Sequence, residues 1–245
     1  MDTEDLEEDI EDNPDIKNIT FLDALMVPGV LQFSFSFFFI KFAYYGVYYW
    51  IPDYLQDGLG YDLETTGEIT SFGSVGGIIG SLLMGLLSDI LAVKSAVHFV
   101  GCLVGAICLS LITSVHGTDH TVFLTLLLST FYVFENGATI VIAIIQCEIG
   151  KNQLLNSKRK AVATISGICD GLAGFGSILG QFLVGPAEAW RGLPGVFAMF
   201  SIGAFIAPFT PLPYMCREVR KCLRQRRQRN QQYWPATRFE TTESN

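Results

Sequence analysis

The residues most able to do chemistry in this chain lie inside apolar segments, and the first is a lysine. Residues 31–50 read LQFSFSFFFIKFAYYGVYYW, with Lys41 near the middle of the run. Tyr44, Tyr45 and Tyr48 follow three, four and seven residues later, so a helix would place them on the same face as Lys41. One compact positive charge beside phenolic donors suits a phosphate. The alternative is that Lys41 reaches an interface or only forms a structural ion pair.

Two acidic side chains also lie deep in apolar segments. Glu135 precedes Asn136 in FYVFENGATIV, and Asp170 lies in ICDGLAG. A charge at the centre of a bilayer costs at least about 2.5–3.5 kcal/mol on insertion scales. Such groups therefore normally face a cavity or a partner, which makes them candidate site residues.

The composition indicates that these segments cross a membrane. Half of the 245 residues are hydrophobic, 16% are charged, 24 are glycine, and the mean hydropathy is +0.37. Soluble domains carry about 25% charged residues. Since a spanning helix needs about 20 largely apolar residues, the sequence predicts an all-α, polytopic membrane protein with six spans. They are expected at about residues 24–50, 68–90, 95–115, 121–146, 161–185 and 194–213.

Basic residues are distributed unevenly between the connecting segments. With six spans, both ends of the chain lie on the same side of the membrane. That side holds 14 of the 16 basic residues. The opposite side holds only Arg191, and Lys41 lies within the membrane. By the positive-inside rule, both termini are predicted to be cytosolic. We expect an acidic cytosolic segment over 1–22, a six-helix bundle over 23–213 and a basic cytosolic tail over 214–245.

The basic tail, with REVRKCLRQRRQR, is expected to be solvated rather than packed. It could bind anionic lipids of the bilayer, or act only as a topology determinant. Cys216 and Cys222 at its start are either palmitoylation sites or ordinary thiols. A nucleic-acid-binding module is excluded because the basic block directly follows an apolar segment.

Glycines at four-residue spacing mark the second and fifth spans. Gly76 and Gly80 belong to GSVGGIIGSLLMGLLSD, and Gly176 and Gly180 to SGICDGLAGFGSILGQFLVG. Small residues at this spacing allow helices to approach closely in lipid. The sequence has no nucleophile–base pair, metal cluster or phosphate-cradling loop, so neither an enzyme nor a cofactor is expected. His98, His116 and His120 are interpreted as loop or helix-end residues.

Several stretches resemble a known family. GSVGGIIGSLLMGLLSD, which leads through a short loop to Lys94, resembles the signature of the major facilitator superfamily. Four stretches are similar to the C-terminal half of the sugar-phosphate exchangers (solute carrier family 37), within the organophosphate:phosphate antiporters. The resemblance covers about residues 22–218 and is carried by ALMVPGVLQFS, YYWIPDYL, SVGGIIGSLLMGLLSD and KAVATISGICDGLAGFGSILGQFLVG.

This resemblance implies helices seven to twelve of a twelve-helix fold, preceded by part of a cytosolic loop. The implied function is exchange of a sugar phosphate, of the hexose-6-phosphate or glycerol-3-phosphate type, for inorganic phosphate by alternating access. The implied partner is a missing N-terminal six-helix half, and the implied location is the endoplasmic reticulum membrane. The alternatives are a truncated, transport-inactive protein with an interaction or regulatory role, and an antiporter of another organic anion.

Roles for individual residues are expected from the resemblance together with their positions in the apolar segments; Asn136 matches the family pattern, whereas Glu135 does not obviously do so. Those expected to bind substrate are Lys41, Tyr44, Tyr45, Tyr48, Glu135 and Asn136. Those expected to act in gating are Gly76, Gly77, Gly80, Asp89, Lys94, Asp170 and Gly171. Glu135 is expected to pair with Lys41 in the empty site, so that phosphate competes for the lysine, or else to form a pair that only orients helices. Asp89 and Lys94 are expected to pair at a helix end and latch one conformation, and Asp170 to serve packing or gating.

The chain departs from the family pattern at two positions. Ser74 stands where members usually have Asp, and Ala138 stands where they usually have Pro. Bacterial relatives carry a basic residue at the position of Tyr44, whereas the eukaryotic exchangers more often place a lysine one turn earlier, as Lys41 does.

Overall fold

The computed structural model describes residues 17–91, 93–157 and 159–233, and the expected acidic segment up to residue 16 lies outside them. The chain is almost wholly helical, as expected. Its elements, in order, are β1 (Lys17–Asn18), α1 (Phe21–Met26), α2 (Val30–Asp53), α3 (Leu63–Ile90), α4 (Lys94–Ile112), α5 (Thr121–Ser157), β2 (Arg159–Lys160), α6 (Val162–Ile206) and α7 (Leu212–Tyr233). A π-helical turn, Tyr54–Gly58, extends α2, and β1 pairs with β2 in parallel.

Helix boundaries follow local chemistry. Pro28 and Gly29 separate α1 from α2, and Gly29 has a φ of 102°, which a side chain would disfavour. The first span therefore begins at residue 30 rather than at the predicted 24. Asp62 caps α3 by accepting hydrogen bonds from the Thr65 backbone N–H at 3.1 Å and hydroxyl at 2.7 Å. These bonds lower the pKa of the Asp62 carboxyl.

Helix α6 is a hairpin with two arms. The break is at Gly192, where φ is 65° and ψ is −165°. A Cβ added at Gly180 would lie 2.9 Å from the carbonyl oxygen of Phe42, and one added at Gly203 would lie 2.6 Å from the Phe42 ring. These glycines would lie about 35 Å apart along a straight helix, so the chain must reverse between them. Residues 162–191 and 193–206 thus form the fifth and sixth long helical segments.

Five stretches of the described chain are long and apolar enough to cross a membrane. They are Val30–Gly58, Leu63–Ile90, Lys94–Ile112, Thr121–Leu155 and Val162–Gln228. The last has 67 residues, about three times what one crossing needs, and it contains the hairpin of α6. The protein is therefore a polytopic membrane protein, and the residues that the structure describes form six long helical segments.

The core consists of two clusters stacked along the bundle. The first contains Val47 of α2 and Leu124 of α5, and the second contains Phe33 of α2 and Ile145 of α5. Helices α2 and α5 therefore run in opposite directions. By the same criterion α4 and the first arm of α6 run with α2, and α3 and the second arm of α6 run with α5. The six segments alternate in direction, so the start of α2 lies at the same end as the end of α6.

Glycines set the closest helix contacts, as predicted. On α3, a Cβ at Gly76 would lie 2.7 Å from the carbonyl oxygen of Ser129, and one at Gly80 would meet the backbone of Val133. Helix α5 therefore packs directly on the backbone of α3. On α6, Gly176 meets the backbone of Phe38 in the same way. These contacts replace the side-chain layer that normally separates two helices.

The start of the basic block is a helix whose basic side chains are exposed, as expected of a solvated segment, but which also docks on the start of α4. In α7, the Glu218 carboxylate accepts hydrogen bonds from the backbone N–H groups of Lys94 and Ser95, each at 3.2 Å, and from the Ser95 hydroxyl. These are donors of the first turn of α4, which have no partner inside that helix. This docking was not predicted, because charge composition does not reveal that a distant helix end needs an acceptor.

Candidate functional site

Lys41 lies near the middle of the 24-residue helix α2 and is half-buried. Its Nζ atom lies over three aromatic rings, at 5.1 Å from the centroid of Phe37, 5.4 Å from Tyr44 and 5.1 Å from Tyr45. An ammonium group within about 6 Å of a ring face is attracted by the ring quadrupole. Within the described residues Lys41 makes no salt bridge. Aromatic faces stabilise its charge while leaving its N–H donors available to an anion.

Asn136 joins α5 to this lysine-bearing face of α2. Its Nδ2 donates to the Tyr44 hydroxyl at 3.4 Å and to the Tyr132 carbonyl at 3.1 Å. A Cβ at Gly77 of α3 would lie 2.6 Å from that same nitrogen. The structure therefore brings Lys41, Tyr44 and Asn136 together. It also makes Gly77, expected in gating, a direct neighbour of the site.

Four tyrosines of α2, including Tyr44, form two stacked pairs along the helix. Tyr44 stacks with Tyr48 at 6.2 Å and Tyr45 with Tyr49 at 6.1 Å between ring centroids. Tyr48 is 48% exposed, so it lies at the open edge of this surface. The helical spacing read from the sequence thus does place Tyr44, Tyr45 and Tyr48 in one contiguous aromatic surface with Lys41.

Gln181, which the sequence did not single out, anchors this surface to α6. Its Oε1 accepts a hydrogen bond from Trp50 Nε1 at 2.8 Å, and its Nε2 donates to the Tyr45 carbonyl at 3.2 Å. A glutamine inside the apolar run ILGQFLVG was the available signal, since buried amides need partners. Gln181 therefore fixes the position of α2 relative to the first arm of α6.

Glu135 does not pair with Lys41, contrary to expectation. Its side chain is fully buried, and within the described residues neither carboxylate oxygen has a hydrogen-bond partner. A Cβ at Gly105 would lie 2.8 Å from Oε1, so the carboxyl group packs on the backbone of α4. The physical reason is local space: Gly105 leaves a recess in α4 that the Glu135 side chain fills. In this conformation Glu135 belongs to the α4–α5 interface.

Asp170 is exposed on the first arm of α6, and the expected packing is not observed within the described chain. Side chains added at Gly167, Gly171 and Gly174 would meet nothing within 4 Å. These residues, together with the 66% exposed Phe175, form an open face of the fifth segment. Gly176 and Gly180 point the other way, towards α2, which is why one glycine-rich segment has one packed and one open side.

Lys94 pairs with Glu148 of α5 rather than with Asp89. Asp89 is exposed at the end of α3 and forms no salt bridge within the part of the chain that the structure describes. The expected latch between Asp89 and Lys94 is therefore absent from this conformation. The reason is that α5 extends to Ser157, beyond the predicted end at 146, and so presents Glu148 to the start of α4.

His98 is buried in α4, which corrects its interpretation as a loop or helix-end residue. The Ser36 hydroxyl lies 2.8 Å from its Nε2 and donates to the carbonyl oxygen of Ala207 at 2.7 Å. This contact links α2, α4 and the end of α6. Of the two departures from the family pattern, Ser74 is exposed and bonds within its own helix, and Ala138 is fully buried.

Comparisons with known proteins bear on this arrangement. No family model matches the chain. It is 29% identical over 214 residues to sugar phosphate exchanger 3 of Xenopus laevis, a match that covers 86% of this chain and 42% of that protein. The chain is similar to sugar phosphate exchangers. This confirms the resemblance drawn from the motifs.

Two further relatives extend the similarity to named phosphate esters. The chain is 27% identical over 175 residues to the glucose-6-phosphate exchanger SLC37A2 of Mus musculus, covering 71% of this chain and 35% of that protein. It is 28% identical over 212 residues to the putative glycerol-3-phosphate transporter 4 of Arabidopsis thaliana, covering 84% and 39%. The chain thus spans between 35% and 42% of the length of these relatives, and it matches their C-terminal part.

Proposed function

We propose that this chain forms one wall of a membrane pathway that exchanges a sugar phosphate for inorganic phosphate by alternating access. The observation that carries the proposal is Lys41: a mid-helix ammonium held over three aromatic rings, without an acidic partner among the described residues. A charge at this depth requires a cavity or a partner. A phosphate supplies the opposite charge, and the relatives are named for phosphate esters.

In this proposal the phosphate binds between α2 and α5. The Lys41 ammonium would supply the charge, and the hydroxyl groups of Tyr44 and Tyr48 would supply neutral donors. Both N–H donors of the Asn136 amide are already used, by Tyr44 and by the Tyr132 carbonyl, so Asn136 would hold the site in place. Charge-assisted hydrogen bonds are about twice as strong as neutral ones, so Lys41 would dominate affinity and the neutral donors would set orientation. The Tyr44 hydroxyl accepts a hydrogen bond from Asn136, so its own O–H remains free to donate to the phosphate.

The open face of α6 supports a second set of helices on the other side of this pathway. Asp170 and the glycines around it are exposed within an apolar segment. A carboxylate there would be costly against lipid, whereas a neighbouring helix or a water-filled cavity would accommodate it. We infer that a further helical unit covers this face.

The proposed topology has six crossings with the start of α2 and the whole of α7 on the cytosolic side. The alternating directions of the segments support it, and so does the clustering of Lys and Arg at that end. We also propose an endoplasmic reticulum location, from the family resemblance. A glycosylation acceptor inserted at Gly117, between α4 and α5, should be modified in the lumen, and fluorescence microscopy would identify the membrane.

The direct test is phosphate binding by the purified chain, measured with radiolabelled inorganic phosphate. Lys41→Gln should weaken binding by about tenfold or more, since a hydrogen bond to a charged group contributes about 1.5–3 kcal/mol. Lys151→Gln, at an exposed position of α5, is the matched control and should bind as the parent does. Equal binding by the two variants would refute the assignment of Lys41.

Exchange is tested in liposomes loaded with phosphate, with external glucose 6-phosphate or glycerol 3-phosphate. Exchange lost on Lys41→Gln would support the transport proposal. Phosphate binding without exchange would instead favour the alternative of a transport-inactive membrane protein with an interaction role. Exchange of an unphosphorylated organic anion in preference to both esters would identify a different antiporter.

A further inference from the structure

An apolar groove lies where α7 meets the ends of α3 and α4. It has a volume of about 450 Å³ and is lined on the bundle side by residues such as Leu87 of α3, Leu91 directly after α3, and Val97 of α4. On the α7 side it is lined by Val219 and Cys222. This volume is within the range of about 300–1,000 Å³ typical of ligand pockets.

The groove continues into a basic cleft. A second depression, of about 440 Å³, lies on the surface of α7 between the exposed side chains of Leu223, Arg224, Arg226 and Arg227. Leu223 and Arg226 line both cavities, so the two are contiguous. Within the described residues none of these arginines forms a salt bridge. Guanidinium groups are the preferred partners of phosphate because they donate two parallel hydrogen bonds.

The position of the two cavities matches the boundary of a bilayer. The groove is walled by the last turn of α3 and the first turns of α4, both of which are membrane-span candidates. Leu87 is 41% and Val100 54% exposed, so the groove faces the surroundings of the bundle. The basic side chains of α7 between Arg217 and Arg227 are exposed, as in helices that lie at a membrane surface.

We propose that this site binds one anionic glycerophospholipid, with an acyl chain in the apolar groove and the phosphate in the arginine cleft. Charge complementarity and the continuity of an apolar and a cationic cavity single out this ligand. A soluble phosphate would leave the groove empty, and a zwitterionic lipid would gain less from three arginines. The Glu218 contacts with the start of α4 hold α7 in place, so that the groove is preformed.

The chain carries its own probes for a test on the unmodified protein. Cys222 lines the groove, whereas Cys216 is an exposed thiol on the same helix. Maleimide labelling of both is followed by peptide mass spectrometry, in nanodiscs of phosphatidylcholine with or without phosphatidylserine. Phosphatidylserine should slow labelling of Cys222 by about fivefold or more, since one basic contact near a bilayer contributes about that factor. Labelling of Cys216 should change by less than about twofold by the same measure.

Two variants distinguish lipid binding at this site from non-specific attraction of the basic helix α7 to an anionic bilayer. Arg226→Gln should remove the effect of phosphatidylserine on Cys222, whereas Arg220→Gln, an exposed position outside the groove, should retain it. Glycerophosphoserine, the headgroup without acyl chains, should not protect Cys222. Equal protection of both thiols, equal effects of the two variants, or protection by the headgroup alone would each overturn the proposal.

Discussion

Replacing Gly105 by alanine tests the placement of Glu135 against α4. An added Cβ would lie 2.8 Å from Glu135 Oε1, 3.2 Å from its Cγ and 3.3 Å from its Cδ. Overpacking of this kind costs about 1–3 kcal/mol, against a gain of at most about 1 kcal/mol in helix propensity. We expect Gly105→Ala to lower the free energy of unfolding of the detergent-solubilised chain. Gly67→Ala, on α3 with nothing within 4 Å, is the matched control and should not lower it.

A double-mutant cycle identifies the cause of the loss. Glu135→Ala removes the clashing atoms, so Gly105→Ala should be tolerated in that background, with a coupling of about 1–3 kcal/mol. Glu135→Gln keeps the shape without the charge and should leave the clash in place. Thermal unfolding of the three single variants, of the two double variants that combine Gly105→Ala with a Glu135 substitution, and of the parent measures both effects. If Gly105→Ala is as benign as Gly67→Ala, or if Glu135→Ala gives no relief, the side chain does not fill the recess in α4.

Three further predictions concern the packing of the helices. Gly176→Ala should lower the free energy of unfolding by about 1–3 kcal/mol, because the added Cβ would meet the backbone of α2. Gly171→Ala, on the open face of α6, is the control and should leave the free energy of unfolding of the isolated chain unchanged. Equal losses for the two variants in thermal melts would contradict this packing. Glu218→Ala should lower the free energy of unfolding by about 0.5–2 kcal/mol, because it removes the acceptor that caps α4. Chemical denaturation measures this loss, and Glu188→Ala, at an exposed site, is the control. Trp50→Phe should cost about 0.5–1.5 kcal/mol through its lost indole hydrogen bond, and an unchanged melting temperature would contradict the link between α2 and α6.

The fold could be predicted where the pattern is periodic and local. Apolar length identified the long segments, and glycine spacing identified the close contact between α3 and α5. The errors lie at the ends of helices: α5 continues to Ser157, and α6 bends only at Gly192. Apolar content cannot locate an end, because a helix can continue beyond its apolar part when other elements pack against it.

The candidate site could be predicted only along a single helix. The spacing of Lys41, Tyr44 and Tyr45 implied a common face, and the ammonium does lie over the rings of both tyrosines. The expected partners across helices were wrong for two charged groups. Glu135 faces Gly105, and Lys94 pairs with Glu148. Contacts between distant residues depend on rotation and offset of whole helices, which no single segment encodes.

The sequence by itself thus determined the membrane class, the alternation of long apolar helices and the aromatic face around Lys41, because each depends on hydrophobicity or on the period of one helix. Only the tertiary structure decided what Glu135 contacts, that α7 packs on α4 through Glu218, and which side of the glycine-rich α6 remains open. These are properties of pairs of surfaces. A buried carboxyl group lies wherever a neighbouring helix leaves room for it, and here that room is the recess at Gly105.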